Sequence, residues 1–322
     1  MTDGDACPNP KGEAREPTGS GVTLAERFAF MFALVVLGLL ARRGGALTGP
    51  RNERLGQLAF YVLLPALVFS STHDRDLEAL LSVELVVGLV AVIASLLALA
   101  WVANRHGADD RRSVALVQSY HGNLGYFGVP VVAATLGASA AATASVVLGV
   151  AALVQIPITI LVLVTINDAD AAVAGELRSV ATNPILLTLA ASLAVASLDV
   201  TVPTTVDAGL ASLSALALPV ALVAVGGSLR ATGYGGSVGR TGRVVALKVL
   251  VMPVLAWLVF TTLAVDPVVR DTVVVMFGAP TAVSTYVYAT ELGGDATFAS
   301  LNVFATTLAA LGTLFVFLRF LA

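Results

Sequence analysis

After residue 23 the sequence consists of long apolar runs separated by short polar connections. A helix needs about 20 apolar residues to cross a bilayer. Ten runs have roughly that length: 24–42, 53–71, 77–103, 112–137, 140–166, 180–198, 205–230, 243–264, 270–290 and 296–321. Because the connections are too short to hold a soluble domain, we predict an all-helical membrane protein with ten transmembrane helices.

The composition excludes several classes of protein. Hydrophobic residues make up 57% of the chain and charged residues 12%, whereas about 25% of an average soluble domain is charged. So few charges cannot cover the surface of a soluble globule, which argues against a cytosolic enzyme, a nucleic-acid binder or a disordered protein. The single cysteine, Cys7, offers neither a disulfide framework nor a cysteine metal cluster. No cofactor is expected.

The apolar runs divide the chain into two halves of five spans. Residues 1–22 are polar and lack the apolar core of a signal peptide, so we predict a disordered tail. We assign 23–166 to the first five-helix repeat, 167–179 to a cytoplasmic linker and 180–322 to the second repeat. Of the 18 Lys and Arg residues, twelve fall in the odd-numbered connections. The positive-inside rule then places those connections in the cytoplasm and both termini outside.

The two halves resemble each other at an offset of 156 residues. Residues 122–137 align without a gap on 278–293, with Gly122 matching Gly278, and Pro65 overlays Pro219 at a slightly different offset. Chance similarity between Ala-, Val- and Gly-rich helices is the alternative explanation. Two similar halves with an odd number of spans must lie upside down relative to each other, as in many secondary transporters.

Span 4 carries an unusual group of polar residues in the middle of an apolar run. Gln118, His121 and Asn123 lie there together, and such residues in a span must face protein or a water-filled cavity. Pro130 lacks an N–H group and clashes with the carbonyl four residues earlier. We therefore predict an unwound segment at 121–126, loosened by the glycines of the run, which are Gly122, Gly125 and Gly128.

Span 9 is interrupted at the corresponding level by Gly278 and Pro280, with Thr281 and Ser284 after the break. The N-terminus of the restarted half-helix would present free N–H groups and a positive dipole end, which suit a carboxylate. Asn123 could donate to the same oxygens. The alternative is that each proline only bends its helix, and we prefer that explanation for Pro157 and Pro253.

Other residues have structural explanations. We expect Pro65 and Pro219 to kink spans 2 and 7. An equal alternative is that these prolines line the cavity. Asn183 and Pro184 are typical of a helix N-cap. Lys248 lies about one turn inside span 8 and is expected to extend to the cytoplasm. Four further polar residues are expected to join helices by hydrogen bonds: Gln155, Asn302, Thr306 and Thr307.

Five segments together resemble the auxin efflux carrier family, which includes plant auxin carriers and bacterial malate-type permeases. They are GN-x-G-x-x-G-x-P (122–130), LLPALVF (63–69), Asn183-Pro184, ALPVALVAVGGSL (217–229) and the GAP…LGGDATFASLNVFATTL run (278–308). The resemblance covers about residues 24–321. It implies a ten-helix inverted repeat with a scaffold and a transport bundle, in which helices 4 and 9 cross at Pro130 and Pro280. It also implies that Asn123 contacts a carboxylate substrate.

We therefore predict a permease or efflux carrier of the cell membrane that moves a small organic anion by alternating access. Lipid and the anion are the expected partners, without nucleic acid, and a homodimer is left open. No Asp lies deep in a span, so the coupling ion, a proton or sodium, is not visible. His121 is the only deep group that titrates near neutral pH, and we favour a neutral, hydrogen-bonded imidazole there.

Two alternatives remain at this point. A sodium-coupled carrier of the bile-acid or arsenite type would have a related ten-helix fold but predicts clustered acids and Asn or Gln residues near the crossing. Only Asn123, Gln118 and Gln155 are candidates for these, so we rank this alternative lower. An intramembrane enzyme or receptor is disfavoured, because the spans contain neither paired Asp residues nor a His-Glu-x-x-His motif.

Overall fold

The computed structural model describes residues 23–76, 80–169, 175, 178, 180–198, 200–230 and 238–321. The predicted tail at 1–22 and most of the predicted linker at 167–179 lie outside these residues. The main helices are α1 (Leu24–Arg43), α2 (Gly49–Thr72), α3 (Val83–Ala103), α4 (Asp109–Tyr120), α5 (Leu124–Leu136), α6 (Ala138–Asn167), α7 (Pro184–Ser197), α8 (Thr204–Ser228), α9 (Val238–Thr262), α10 (Pro267–Phe277), α11 (Ser284–Glu291) and α12 (Ala296–Leu321).

Among the described residues, seven helices are long and apolar enough to cross a membrane: α1, α2, α3, α6, α8, α9 and α12. Helices α5 and α7 are apolar but shorter. Only residues 121–123 separate α4 from α5, and only 278–283 separate α10 from α11. The prediction of an all-helical, multi-pass membrane protein is confirmed.

Three prolines follow a wider, π-helical turn. Before Pro65, Pro130 and Pro253, the preceding residue's N–H bonds to a carbonyl five positions back rather than four. A proline in a regular α-helix clashes with the carbonyl four residues earlier, and a π-turn changes the local geometry that creates this clash. These helices continue through their prolines, and α6 likewise continues through Pro157. Pro219 differs, because a turn at 215–216 interrupts α8 just before it.

The helices pack in two groups. Helix α1 packs along α8, and α2 packs along both α7 and α8. In the second group α3 lies on α9, α6 contacts α4, α5 and α10, and α12 contacts α4, α9 and α11. The polar residues of the two helix interruptions are buried between these elements, so the cost of burying them must be offset by hydrogen bonds inside the protein.

Candidate functional site

The two helix interruptions lie against each other. Gly122 and Thr281 form an isolated antiparallel bridge. The N–H of Asn123 donates to the carbonyl of Pro280 at 2.7 Å, and the N–H of Ala282 donates to the carbonyl of His121 at 3.0 Å. Backbone groups freed from a helix have no water to bond to in a membrane. Each interruption therefore supplies the hydrogen-bond partners that the other lacks.

The first interruption is shorter than the sequence predicted, and Pro130 is not part of it. Residues 121–123 are non-helical, whereas the remainder of the predicted unwound segment lies in a π-turn at Leu124–Gly128. Pro130 follows in the first turn of Val129–Leu136. The crossing at Pro130 that the resemblance implied is therefore wrong: the π-turn accommodates the proline, and the chain breaks at Gly122 instead. Pro280 does lie in its interruption.

Thr281 also differs from expectation, because helix α11 restarts only at Ser284. The Thr281 hydroxyl donates to the carbonyl of His121 at 3.1 Å, and its N–H donates to Thr306 Oγ1 at 3.3 Å. Thr281 thus bonds the two interruptions together and does not line an open space. Gly278 caps the end of α10, where an added Cβ would lie 2.5 Å from Leu314 Cδ2.

A cavity of ≈ 190 Å³ lies between the first interruption, α6, α7 and the start of α11. It brings together five of the predicted site and hinge residues: His121, Gly122, Asn123, Gly125 and Ser284. Apolar walls come from residues such as Phe60, Ile156 and Ile185. The other predicted residues do not line it: Gln118, Gly278, Pro280, Thr281, Gly128, Pro130, Pro65 and Pro219.

Asn123 is a buried polar side chain of this cavity whose bonding is incomplete. The residue is only 4% exposed, yet its Nδ2 has no hydrogen-bond partner. Buried polar groups are almost always paired, so this amide is available to donate to a molecule bound in the cavity. Asn183, on the opposite wall, caps α7 by accepting from the N–H groups of Ile185 and Leu186, which confirms its predicted N-cap role.

The imidazole of His121 is hydrogen-bonded inside the protein. Its Nδ1 lies 2.7 Å from Thr159 Oγ1, and the same hydroxyl lies 3.0 Å from the Tyr120 hydroxyl. Gln155 supports the backbone on either side of His121. Its Oε1 accepts from the N–H of Gly122, and its Nε2 donates to the carbonyl of Tyr120, both at 3.3 Å. Helix α6 therefore holds the first interruption in place.

Gln118 joins three helices instead of facing the cavity. Its Nε2 donates to Thr285 Oγ1 at 3.0 Å and to the carbonyl of Ala299 at 3.1 Å. Its Oε1 accepts from Asn302 Nδ2 at 2.8 Å. The side chain thus links α4 to α11 and α12, which is the interhelical role that the sequence predicted for Asn302.

Lys248 does not extend to the cytoplasm as predicted. The residue is fully buried, and its Nζ donates to the carbonyl of Phe277 at 2.8 Å. A Cβ added to Gly122 would lie 3.3 Å from Nζ, so the ammonium lies beside the first interruption. The sequence interpretation treated Lys248 as a loop charge because of its place near one end of an apolar run. A basic residue five positions before a proline in such a run was the available signal.

Comparisons with known proteins identify the family of the chain. The model of the family described as "Membrane transport protein" matches residues 23–318. A protein of Rhizobium meliloti (strain 1021) described as "Putative malonate transporter" is 26% identical over 290 residues, which cover 88% of this chain and 91% of that protein. Both descriptions refer to transporters, which points away from an enzyme.

Proposed function

The chain belongs to the membrane transport protein family, and from this premise we propose that it carries a small organic dicarboxylate across the membrane by alternating access. Membership confirms the family resemblance of its motifs. The choice of a dicarboxylate rests on the relative described as a malonate transporter and on the chemistry of the cavity.

We propose that the helices form ten spans in two inverted repeats, with α4–α5 as span 4 and α10–α11 as span 9. The packing supports this pairing, because contacts recur between corresponding spans. Helix α1 packs on α8 as α7 packs on α2. Helix α6 contacts α10 as α12 contacts α4. The group containing α1, α2, α7 and α8 would be the scaffold, and the remainder would be the transport bundle.

The unpaired amide of Asn123 carries the functional proposal. It lines a cavity between proposed scaffold helices and the interrupted helices, and transporters of this construction bind substrate at the repeat interface near the midplane. An amide N–H can donate to a carboxylate oxygen. At ≈ 190 Å³ the cavity is smaller than the roughly 300–1,000 Å³ of drug-sized sites, which favours a small acid.

Two helix N-termini add a favourable potential for an anion. Helix α5 begins at Leu124 and α11 begins at Ser284, and both residues line the cavity. The first turn of a helix carries a partial positive charge, which stabilises a nearby carboxylate. Since the apolar walls bind the carbon skeleton, the site suits an organic acid better than an inorganic anion.

At the two ends of the protein, the proposed scaffold and the proposed transport bundle are packed together to different extents. Alternating access requires such a difference in any single state. At one end a cavity of ≈ 350 Å³ separates α1, α2 and α8 from α11 and α12, with Arg42 and Arg230 in its wall. At the other end α2 is joined to α6 and α7: Ser71 Oγ lies 3.4 Å from Ser145 Oγ, and Thr72 Oγ1 lies 2.6 Å from Ser192 Oγ. By the positive-inside rule we propose that the arginine-lined end faces the cytoplasm.

The test is uptake of radiolabelled malonate into proteoliposomes by wild type and Asn123→Ala. We expect the variant to lose roughly tenfold or more of its transport, because a hydrogen bond to a charged ligand contributes about 1.5–3 kcal/mol. Asn104→Ala is the matched control: Asn104 is equally buried, but its Nδ2 donates to Ala100 O at the end of α3. Wild-type uptake by Asn123→Ala, with Asn104→Ala also unaffected, would contradict the site assignment.

A further inference from the structure

We infer that the ammonium of Lys248 is a tethered cation that occupies the place of a bound sodium ion at the crossing, so that anion transport needs no sodium. The inference rests on the proposed function, whose coupling ion it addresses. It is carried by the position of Lys248 and by the groups that surround its Nζ.

The ammonium lies at the end of a half-helix. Nζ donates to the carbonyl of Phe277, the last residue of α10, at 2.8 Å and approaches Met252 Sδ at 3.3 Å. The proximity of Gly122 to Nζ places the charge beside the backbone bridge between the interruptions. A cation at this position meets the negative end of the α10 dipole.

Among the described residues, no carboxylate forms an ion pair with this buried charge. Within the part of the chain that the structure describes, the ion pairs involve His73, Arg75, Arg111, Arg112 and Arg270, and Lys248 makes none. Ionisable residues inside a membrane usually pair with each other or with backbone carbonyls. Lys248 follows the second pattern, because its ammonium bonds to the carbonyl at the end of α10 and not to an acidic side chain.

The C-terminal and the N-terminal helix ends near the interruptions contact different groups. Helix α4 also ends at the crossing, with His121 as its C-cap, so two C-terminal ends converge there. In transporters with broken helices, such ends and the unwound carbonyls coordinate sodium, whereas the N-terminal ends face the anionic substrate. Here the N-terminal ends of α5 and α11 line the cavity, and the ammonium bonds to one of the C-terminal ends.

A covalently attached ammonium at this position makes a mobile cation redundant. It is a compact charge with three donors and can satisfy a helix carbonyl as a bound ion would. A sodium ion in the same place would be repelled by the lysine at close range. The arrangement therefore predicts transport at equal rates in sodium and in potassium.

The experiment compares wild type with Lys248→Ala and Lys248→Met in proteoliposomes loaded with sodium or potassium salts. We expect wild-type malonate uptake to be the same in both salts. Both variants should lose more than about tenfold of that uptake in potassium, since truncating a buried charge leaves its partner unpaired. Arg243→Ala is the control: Arg243 is an exposed cation on the same helix and should be dispensable.

Chemical rescue separates a cation site from a packing role. In Lys248→Ala, n-propylammonium or sodium should restore several-fold of the uptake, whereas n-propanol, which has similar bulk and no charge, should not. Sodium dependence of the wild type, full activity of Lys248→Met in potassium, or equal rescue by n-propanol would each overturn the inference.

A second readout does not depend on transport. The melting temperature of purified Lys248→Ala in detergent should rise with n-propylammonium chloride and stay unchanged with n-propanol, and wild type should respond to neither. If wild type carries no malonate, the proposed function fails, but this melting experiment still decides the role of Lys248. If Lys248→Ala does not fold, uptake by Lys248→Met in the two salts decides it.

Discussion

The two helix interruptions share a backbone arrangement and differ in the use of their side chains. At the first, His121 and Asn123 line the cavity, and Asn123 has an unpaired amide. At the second, the hydroxyl and the N–H of Thr281 both donate hydrogen bonds to groups of the protein. Backbone pairing is required of both in a membrane. Buried polar side chains can meet this need either inside the protein or through a ligand in a cavity. The side chains of the first interruption are therefore placed to contact substrate, whereas Thr281 holds the two interruptions together.

The largest effect on stability is expected from Gln118→Leu, which removes the side chain that links α4 to α11 and α12. Three hydrogen bonds are lost, and Asn302 Nδ2 loses its partner in the core. We expect the free energy of unfolding to fall by about 3 kcal/mol or more. Thermal unfolding of the purified protein in detergent measures this loss.

Thr307→Val is a suitable control for that variant, because the buried Thr307 hydroxyl donates to the carbonyl of Val303 within its own helix. The comparison of the interruptions predicts that folded Gln118→Leu keeps its affinity for malonate. A loss of affinity without a loss of stability would mean that Gln118, or the part of α11 that it bonds, contributes to substrate binding.

The sequence predicted the helices well because hydrophobic length is a local property. The run at 140–166 corresponds to Ala138–Asn167, and the run at 296–321 corresponds to Ala296–Leu321. The polar group in span 4 was also visible, since a membrane tolerates such residues only where they are enclosed. Asn183 was recognisable as a cap from its own position before Pro184.

The parts that were missed depend on contacts between distant segments. The partner of Lys248 is a carbonyl on α10, which hydropathy along α9 cannot reveal. Pro130 was expected to break its helix because the clash rule assumes α-helical geometry, whereas the π-turn at Leu124–Gly128 avoids that geometry. Without Lys248, eleven of the basic residues remain in the odd-numbered connections, so the positive-inside argument for the predicted orientation still holds.

The second largest effect on stability is expected from substitution of Gly278, which matches Gly122 of the first interruption. Substituting each glycine in turn tests the difference between the two interruptions directly. A Cβ at Gly278 would lie 2.5 Å from Leu314 Cδ2 and 3.2 Å from the carbonyl of Val274. We expect Gly278→Ala to cost about 1–3 kcal/mol of stability through overpacking. Its folded fraction should transport normally, because Gly278 does not line the cavity.

Gly122→Ala should behave in the opposite way. Its Cβ would lie 3.0 Å from Leu124 Cδ2 and 3.3 Å from Lys248 Nζ, both of which are side-chain and not backbone atoms. We expect a stability cost below about 1 kcal/mol and a several-fold loss of malonate uptake. Parallel melting curves and uptake rates for the two variants test this. Equal effects on uptake would remove the distinction between the interruptions.

The smallest effect is expected from Asp295→Asn, outside the spans at the start of α12. The Asp295 carboxylate accepts from Arg111 Nε at 2.7 Å and from the N–H of Phe298 at 2.9 Å, and so ties α12 to the start of α4. Burial tends to raise the pKa of Asp295, but the N–H of Phe298 and the guanidinium of Arg111 lower it below its usual 3.8. Since Arg111 is 41% exposed, we expect a loss of no more than about 1 kcal/mol.

The pH dependence of that loss has a definite sign. A carboxyl group with a lowered pKa in the folded state stabilises the protein fully above its ordinary pKa and loses that contribution as the pH falls through the folded value. The difference in melting temperature between wild type and Asp295→Asn should therefore be constant near neutral pH and shrink as the pH falls below 3.8. A difference that widens on acidification would show that the Asp295 carboxylate does not stabilise the contact between α4 and α12.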